Sequence, residues 1–350
     1  MSAWVVGADS DIVSWGTDGI DQNALAAPKI VLDPTGRHLH FHGKRVKIKM
    51  QIVKEHWGRG AIYLCPPYMI KNANMVATVL TMQLLRLRGD PTRAHKRDIR
   101  IQADGGAENW NQTLIALAAF WVHMGICNSV QLNCMFPRHG HSDFDAKGAV
   151  ITTHINGSQG EGKDPGMNIH TLPQMMEEVR AAAVRSKKVQ ATGDTTFFDM
   201  QHSLDFTQFF EKHIHDQMEK TQHGHCQMTV DEIKSQSQRK ASIMSWRVKV
   251  DNDAVIRATF KLHSQDTDWL GTNKDGEMVP GAPGCRVLKS LPSATEYPAL
   301  APVYTFAKWG KDAIQANVMR NIKEDTANFT EAHRAGMCTC HKNVRMPAFG

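Results

Sequence analysis

The sequence predicts an α/β protein whose residues 1–156 form a mixed five-stranded sheet flanked by helices. Two patterns predict this fold class. Short segments of alternating or continuously apolar residues, typical of strands, are separated by longer segments with apolar residues at helical spacing. Glycine, proline and aspartate clusters fall between these segments, where turns are expected. The composition, with 41% hydrophobic and 22% charged residues in 350, is that of a globular protein.

Three strands are predicted at the beginning of the chain. Residues 12–15 are apolar and run into a Gly-Thr-Asp-Gly turn at 16–19. Residues 39–53 alternate between apolar and polar side chains, and this period of two is typical of an extended strand. Residues 61–65 form a third apolar strand, which two prolines bring to an end.

Helices and strands then alternate. Apolar residues between 76 and 87, at spacings of four, four and three, predict a helix that Asn74 caps. The remaining elements of this half are a strand over 99–103, a helix from Glu108, a strand over 129–136 and a helix over 146–151.

The second half of the sequence is less regular. Residues 157–170 are rich in glycine and are interpreted as a linker or loop, and 171–350 as a C-terminal α+β extension. Residues 171–174 resemble a capping box before an amphipathic helix that reaches about 185. Alternating residues on both sides of an Asp-Asn-Asp turn predict a β-hairpin over 246–262.

Composition excludes several classes of protein. No apolar run approaches the ~20 residues of a membrane helix, and the N-terminus lacks the pattern of a signal peptide. Seven cysteines, an odd number, favour reduced thiols over a disulfide framework. We therefore expect a nuclear or cytoplasmic protein that is not secreted and has no membrane partner. The net charge of +6 mildly favours an anionic partner.

Acidic residues follow the ends of the predicted strands. Asp18 ends the first strand, Asp104 ends the fourth, and Asp143 and Asp145 follow the fifth at the start of a helix. If the first and fourth strands are neighbours, their carboxyl ends meet at one edge of the sheet. Three carboxylates gathered there repel one another unless a cation neutralises them, and oxygen ligands suit Mg²⁺ or Mn²⁺. Two such ions ~3.5–4 Å apart would activate the attacking oxygen and stabilise the leaving oxygen of a phosphodiester.

This order of elements and acids is that of the ribonuclease H-like fold. The chain resembles the ribonuclease H-like integrase domain of eukaryotic transposon-derived proteins of unknown function, which are relatives of DDE-type transposases. The matching segments are residues 18–22 (DGIDQ), Asn74 with its helix, 102–111 (QADGGAENWN) and 140–145 (GHSDFD). Together with the strands between them, the resemblance covers roughly the first 155 residues.

The resemblance implies a transposase-derived polynucleotidyl transferase or nuclease that depends on Mg²⁺ or Mn²⁺ and acts on DNA, with RNA as the alternative substrate. Asp18 and Asp104 are the first two implied catalytic and metal-binding carboxylates. The segment around the third acid is one residue shorter than in the family, so Asp145, one helical step inside the helix, is favoured and Asp143 is the second choice. Further candidate metal ligands are Asp21, Glu108 and His141.

Basic residues near the predicted site are candidates for binding nucleic acid. A run of arginines and lysines over 86–100 leads directly into the strand that bears Asp104, where it would contact phosphates. The candidate residues are Arg93, Lys96, Arg97, Arg100 and Arg138. A basic loop of this kind is also compatible with a solvated surface that binds nothing.

Two other functions compete with catalysis. An aspartate before a glycine at a strand end is common turn chemistry, the third-acid segment is altered, and the short segment before the first strand leaves no room for an N-terminal DNA-binding module. These features are compatible with a catalytically inactive, domesticated transposase remnant that acts as a nucleic-acid or protein binding scaffold. The second alternative is a zinc-dependent interaction module, whose ligands would come from His213, His215, His223, His225 and Cys226. Their spacing does not match an established zinc finger.

Overall fold

The fold is taken from a computed structural model of the 350-residue chain. The residues that it describes are 11–19, 25–27, 29, 46–56, 59–66, 68–104, 106, 108–134, 143–157, 166–185, 195–215, 245–261, 266–272, 278–293 and 295–302.

Strands and helices alternate through the first half of the chain, and strands dominate the second. The strands are β1 (Ile12–Gly19), β2 (Ala26–Ala27), β3 (Val46–Lys47), β4 (Lys49–Glu55), β5 (Gly60–Cys65), β6 (Asp98–Ala103), β7 (Ser129–Cys134), β8 (Thr195–Asp199), β9 (Ser245–Val250), β10 (Ile256–Lys261), β11 (Leu270–Thr272), β12 (Met278–Pro280) and β13 (Cys285–Arg286). The helices are α1 (Ala73–Gly89), α2 (Gln112–His123), α3 (Asp143–Asn156), α4 (Leu172–Arg185) and α5 (Phe206–Glu211).

Eleven of these strands form one mixed sheet, in the order β12-β11-β10-β9-β7-β6-β1-β4-β5-β8, with β13 paired to β10. At its centre, β6 pairs in parallel with both β1 and β7, whereas β4 is antiparallel to β1 and to β5. The first and fourth of the five predicted strands are therefore neighbours. Strands β2 and β3 form a separate two-stranded sheet.

Helices cover both faces of the sheet, and each face has its own apolar core. The larger core contains the apolar side of α1 and α2 together with residues from the central strands, among them the fully buried Trp15 and Trp246. The smaller core lies on the opposite side of β4 and β5, where Ile52 and Ile62 share a cluster with Ile151 of α3. The predicted α/β class, a mixed sheet flanked by helices, is confirmed.

The predicted number of five strands is wrong, because the sheet continues on both sides of the five. On one side β9 pairs antiparallel with β7, and on the other β8 pairs in parallel with β5. These pairings join segments about 110 to 135 residues apart in the chain. Strand periodicity shows that a segment is extended, but it does not show which distant edge the segment joins.

Several predicted boundaries shift for local reasons. The cap of α1 is Asn72, whose side chain accepts a hydrogen bond from the backbone N of Met75; Asn74 lies inside the helix. The second helix begins at Gln112 rather than near Glu108, because Asn111 caps it. The predicted helix from 171–174 to 185 and the predicted hairpin are confirmed as α4 and the β9–β10 pair. In the part of the chain that the structure describes, none of the helices combines the length and apolar character needed to cross a bilayer.

Candidate functional site

The carboxyl ends of β1, β6 and β7 meet at one edge of the sheet, because these three strands are parallel. Thr17 of β1 is paired with Ala103 of β6, so Asp18 and Asp104 each come one residue after this pair. Neighbouring strands lie about 4.8 Å apart, and the backbones of the two aspartates are therefore adjacent. We refer to Asp18, Asp104 and Glu108 as the carboxylate edge.

Asp104 is held by the turn that leads into α2. Its Oδ1 accepts hydrogen bonds from the backbone N of Gly106, at 3.0 Å, and from the side-chain amide of Asn109. Asn109 is only 4% exposed, and its own Oδ1 is buried and has no hydrogen-bond partner among the described residues. The buried amide of Asn109 therefore fixes Oδ1 of Asp104. Both of these hydrogen bonds are made to Oδ1, and neither is made to Oδ2.

Glu108 forms an ion pair with a lysine. Lys71, in the connection between β5 and α1, places its Nζ 2.7 Å from Oε1 of Glu108, and both side chains are roughly three-quarters buried. Burial alone would raise the pKa of Glu108, but the hydrogen bond and charge of Lys71 outweigh it and lower that pKa. A Cβ added to Gly19 would lie 3.1 Å from this Nζ, so Lys71 reaches from the end of β1 to Glu108.

Asp104 also affects a thiol at the end of β7. Cys134 is paired with Ala103 in the β6–β7 register, and burial together with the neighbouring Asp104 carboxylate raises the pKa of the Cys134 thiol to about 11. The thiol is therefore neutral at physiological pH. A neutral thiol beside a carboxylate adds no charge to the edge.

The helix α3 begins at Asp143, so Asp143 and Asp145 both lie in its first turn. This helix packs on the side of the sheet that carries Ile52, the antiparallel partner of Asp18. Asp21, His141 and Arg138 lie outside the described residues. Among the described side chains, no group of three or more His, Cys, Asp or Glu is placed to hold a metal ion. The side chains of Asp143 and Asp145 do not belong to that set, and the metal site remains a prediction.

The candidate basic residues are at the other end of β6. Arg93 pairs with Glu55, Lys96 is buried, and Arg97 donates to the backbone oxygen of Gly125 at 2.6 Å. All three precede β6, whose six residues span roughly 20 Å, so a phosphate held beside Asp104 is beyond their reach. Arg100 lies within the strand. Nucleic-acid binding by these residues remains a prediction.

Sequence reasoning missed two residues of this site. Asn109 lies inside the matching segment 102–111, but its role depends on the turn that folds it back onto Asp104. Lys71 belongs to no periodic pattern, and no local signal in the sequence would have identified it.

The predicted zinc ligands are described only in part. His213 donates to or accepts from the hydroxyl of Ser290 at 2.8 Å, and its burial lowers its pKa, so it acts as a neutral packing residue. His215 lies next to this segment, and the other three residues of the cluster are outside the described residues.

Comparison with known proteins gives one match. Residues 43–245 match the model of DUF7869, a domain of unknown function. No curated protein and no solved structure matches the chain. The matched stretch contains Asp104, Asp143 and Asp145, and Asp18 precedes it. Because the match spans more than half of the 350 residues, the chain belongs to the DUF7869 family.

Proposed function

We propose that the protein is a ribonuclease H-like, transposase-derived enzyme that uses divalent cations to cleave or transfer phosphodiester bonds of DNA. The order β5-β4-β1-β6-β7 supports this class, since it makes the first and fourth of the five predicted strands parallel neighbours. The observation that carries the proposal is the register of β1 and β6. It sets Asp18 and Asp104 side by side at the carboxyl ends of two parallel strands, where oxygen ligands for a cation are expected to converge.

The residues fit Mg²⁺ or Mn²⁺ better than a softer metal, because the ligands offered are carboxylates. Asp18 and Asp104 would hold the cation, with Asp145, or Asp143, as the third acid from the first turn of α3. A bound divalent cation would lower the pKa of an attacking water and stabilise the leaving oxygen. Asn109 has a defined part in this arrangement, because it fixes one oxygen of Asp104 and leaves the other for a ligand.

Lys71 sets the charge of the site. Lys71 balances the charge of Glu108, so this lysine lowers the net negative charge of the carboxylate edge by one unit. If a divalent cation is bound, Glu108 would offer it a further carboxylate oxygen, and Lys71, whose Nζ lies 2.7 Å from Oε1 of Glu108, would hold that side chain in place.

The test is divalent-cation-dependent nicking of supercoiled plasmid, with Mn²⁺ affinity measured by calorimetry on the same preparations. We expect Asp104→Asn to lower the nicking rate at least 100-fold and to weaken Mn²⁺ binding, with the circular dichroism spectrum unchanged. Glu177→Gln, which removes an exposed carboxylate from α4, is the matched control and should nick at the wild-type rate. Nicking that survives Asp104→Asn would refute the proposal, as would wild-type protein that neither nicks nor binds Mn²⁺.

A second function, a catalytically inactive binding scaffold, is favoured by one observation. The Lys71–Glu108 ion pair and the two donors on Asp104 Oδ1 satisfy much of the carboxylate edge without a cation. A scaffold of this kind would bind nucleic acid in EDTA and show no Mn²⁺ binding by calorimetry. Tight Mn²⁺ binding that Asp104→Asn removes would contradict it.

A further inference from the structure

One face of the sheet is polar over four neighbouring strands. The residues of β6, β7, β9 and β10 that point away from the larger core are all polar or charged, and the pairing aligns them in three rows. The rows are Asp98–Ser129–Lys249–Arg257, Arg100–Gln131–Arg247–Thr259 and Gln102–Asn133–Ser245–Lys261. We call these twelve residues the polar face.

The polar face differs from the rest of the sheet. On β4 and β5 the same side of the sheet is apolar and contributes Ile52 and Ile62 to the smaller core beneath α3 and α4. The alternate residues of β9 and β10, such as Trp246 and Phe260, are fully buried in the larger core. A strand that buries only one of its faces is typical of a sheet with a wet second face. Ten of the twelve residues of the polar face are at least partly exposed, whereas Asn133 and Ser245 are buried.

The charge of the polar face is positive. It has five cationic residues and one anionic residue, for a net charge of +4 within an area of about 14 by 20 Å. Asp251 and Asp253, at the hairpin turn, pair with Arg257. Lys249 is exposed, and the buried Nε of Arg247 has no hydrogen-bond partner among the described residues. With the two turn aspartates counted, the net charge of this surface is +2, which still favours an anionic partner.

An aromatic ring lies in the middle of these cations. The guanidinium carbon of Arg247 is 4.2 Å from the ring centroid of Trp269, and Nζ of Lys261 is 5.0 Å from it. Next to this group, a groove of about 560 Å³ runs between the α2–β7 connection and the end of β9. The groove is lined in part by Arg247, Lys249 and Ser129. A ring held among cations beside an open groove is the combination with which proteins bind single-stranded nucleic acid.

We propose that the polar face binds a single strand of nucleic acid without base specificity. The side chains of Arg247, Lys249 and Lys261 would contact the phosphates of the strand, and the ring of Trp269 would stack on one base. An area of this size matches the smallest site sizes of such surfaces, about four nucleotides. Along β6 the face ends at Gln102, two residues before Asp104, so the strand would lead to the carboxylate edge. That last step rests on the proposed phosphodiester chemistry, whereas binding does not require it.

The experiment measures binding of a fluorescein-labelled ten-residue oligothymidylate by anisotropy in EDTA, so hydrolysis does not contribute. We expect Lys249→Gln and Lys261→Gln each to weaken binding about 3- to 10-fold and to reduce the slope of log K against log salt concentration by about 0.7. Trp269→Ala should weaken binding about fivefold or more. Lys212→Gln removes an exposed cation, paired with Glu296, that lies off the polar face, and it should bind within twofold of wild type.

Lys249 is exposed, so its substitution tests the proposal even if a variant at the half-buried Arg247 fails to fold. Three results would overturn the proposal: wild-type affinity in the Lys249→Gln and Lys261→Gln variants, an equal loss in Lys212→Gln, or tighter binding of duplex DNA or polyglutamate than of oligothymidylate. Failure of nicking with retained binding in EDTA would reject the proposed enzymatic function alone. Loss of binding in the polar-face variants with Mn²⁺ affinity unchanged would assign the two functions to separate surfaces.

Discussion

Asn74 is the residue whose removal tests the packing of α1 most directly. It is 5% exposed, and its amide donates to Oδ1 of Asp205 at 2.9 Å. Its oxygen accepts from the backbone N and the hydroxyl of Thr207, at 2.8 and 2.9 Å. Asp205 in turn caps α5 by accepting from the N of Gln208. One side chain of α1 thus holds the first turn of a helix that follows about 130 residues later.

We expect Asn74→Ala to lower the free energy of unfolding by about 2 kcal/mol. Three hydrogen bonds at a net contribution of about 0.5–1.5 kcal/mol each would give about 1.5–4.5 kcal/mol. The lower end applies because Thr207 is exposed and water can replace its two bonds, whereas the buried carboxylate of Asp205 loses a donor. Alanine also favours the helix interior slightly, which offsets part of the loss.

The assay is urea unfolding at 25 °C followed by circular dichroism, with Asn72→Ala as the matched control. Asn72 makes one capping bond to the N of Met75, so its removal should cost about 1 kcal/mol. A double-mutant cycle with Asp205→Ala should give a coupling energy of about 1 kcal/mol. A loss at Asn74 that is smaller than the loss at Asn72, or a coupling energy near zero, would show that the α1–α5 contact does not stabilise the fold.

Three further predictions concern the Lys71–Glu108 ion pair, two buried thiols, and a glycine that lies close to a facing backbone. Lys71→Met should destabilise the protein by about 1 kcal/mol at pH 7, because the depressed pKa of Glu108 contributes stability above the unfolded pKa of about 4.3. Urea unfolding at several pH values should show that this difference disappears as the pH falls through the lower pKa of the folded state; a constant difference would contradict the assignment. Cys65 and Cys134, whose pKa values burial raises to about 12 and about 11, should resist iodoacetamide at pH 8 until urea unfolds the chain. Rapid labelling of the native protein, followed by mass spectrometry, would be the contrary result. Gly271→Ala should cost about 2 kcal/mol or more in urea unfolding, because a Cβ there would lie 2.0 Å from a backbone oxygen of the facing turn; Gly89→Ala, which meets nothing within 4 Å, should be neutral.

Local chemistry determined much of this protein from the sequence alone. The period-two segment 39–53 predicted β4, a short apolar run predicted β5, the apolar stripe between 76 and 87 predicted α1, and the turn after the fourth strand placed Asp104 at a strand end. Each of these features depends on neighbours within about ten residues. Hydrophobic periodicity, caps and turn residues act over that range, so the sequence shows them directly.

Only the tertiary structure decided what depends on contacts across the chain. The pairing of β7 with β9 extended the sheet beyond five strands and aligned Arg100, Gln131 and Arg247 into one row of the polar face. The ion pair between Lys71 and Glu108 likewise joins the β5–α1 connection to the β6–α2 connection, and no sequence pattern indicates that these two connections are close in space. A strand exposes the same hydrogen-bonding edge whatever its partner, so its sequence specifies an extended segment but leaves the choice of partner to the packing of the whole fold.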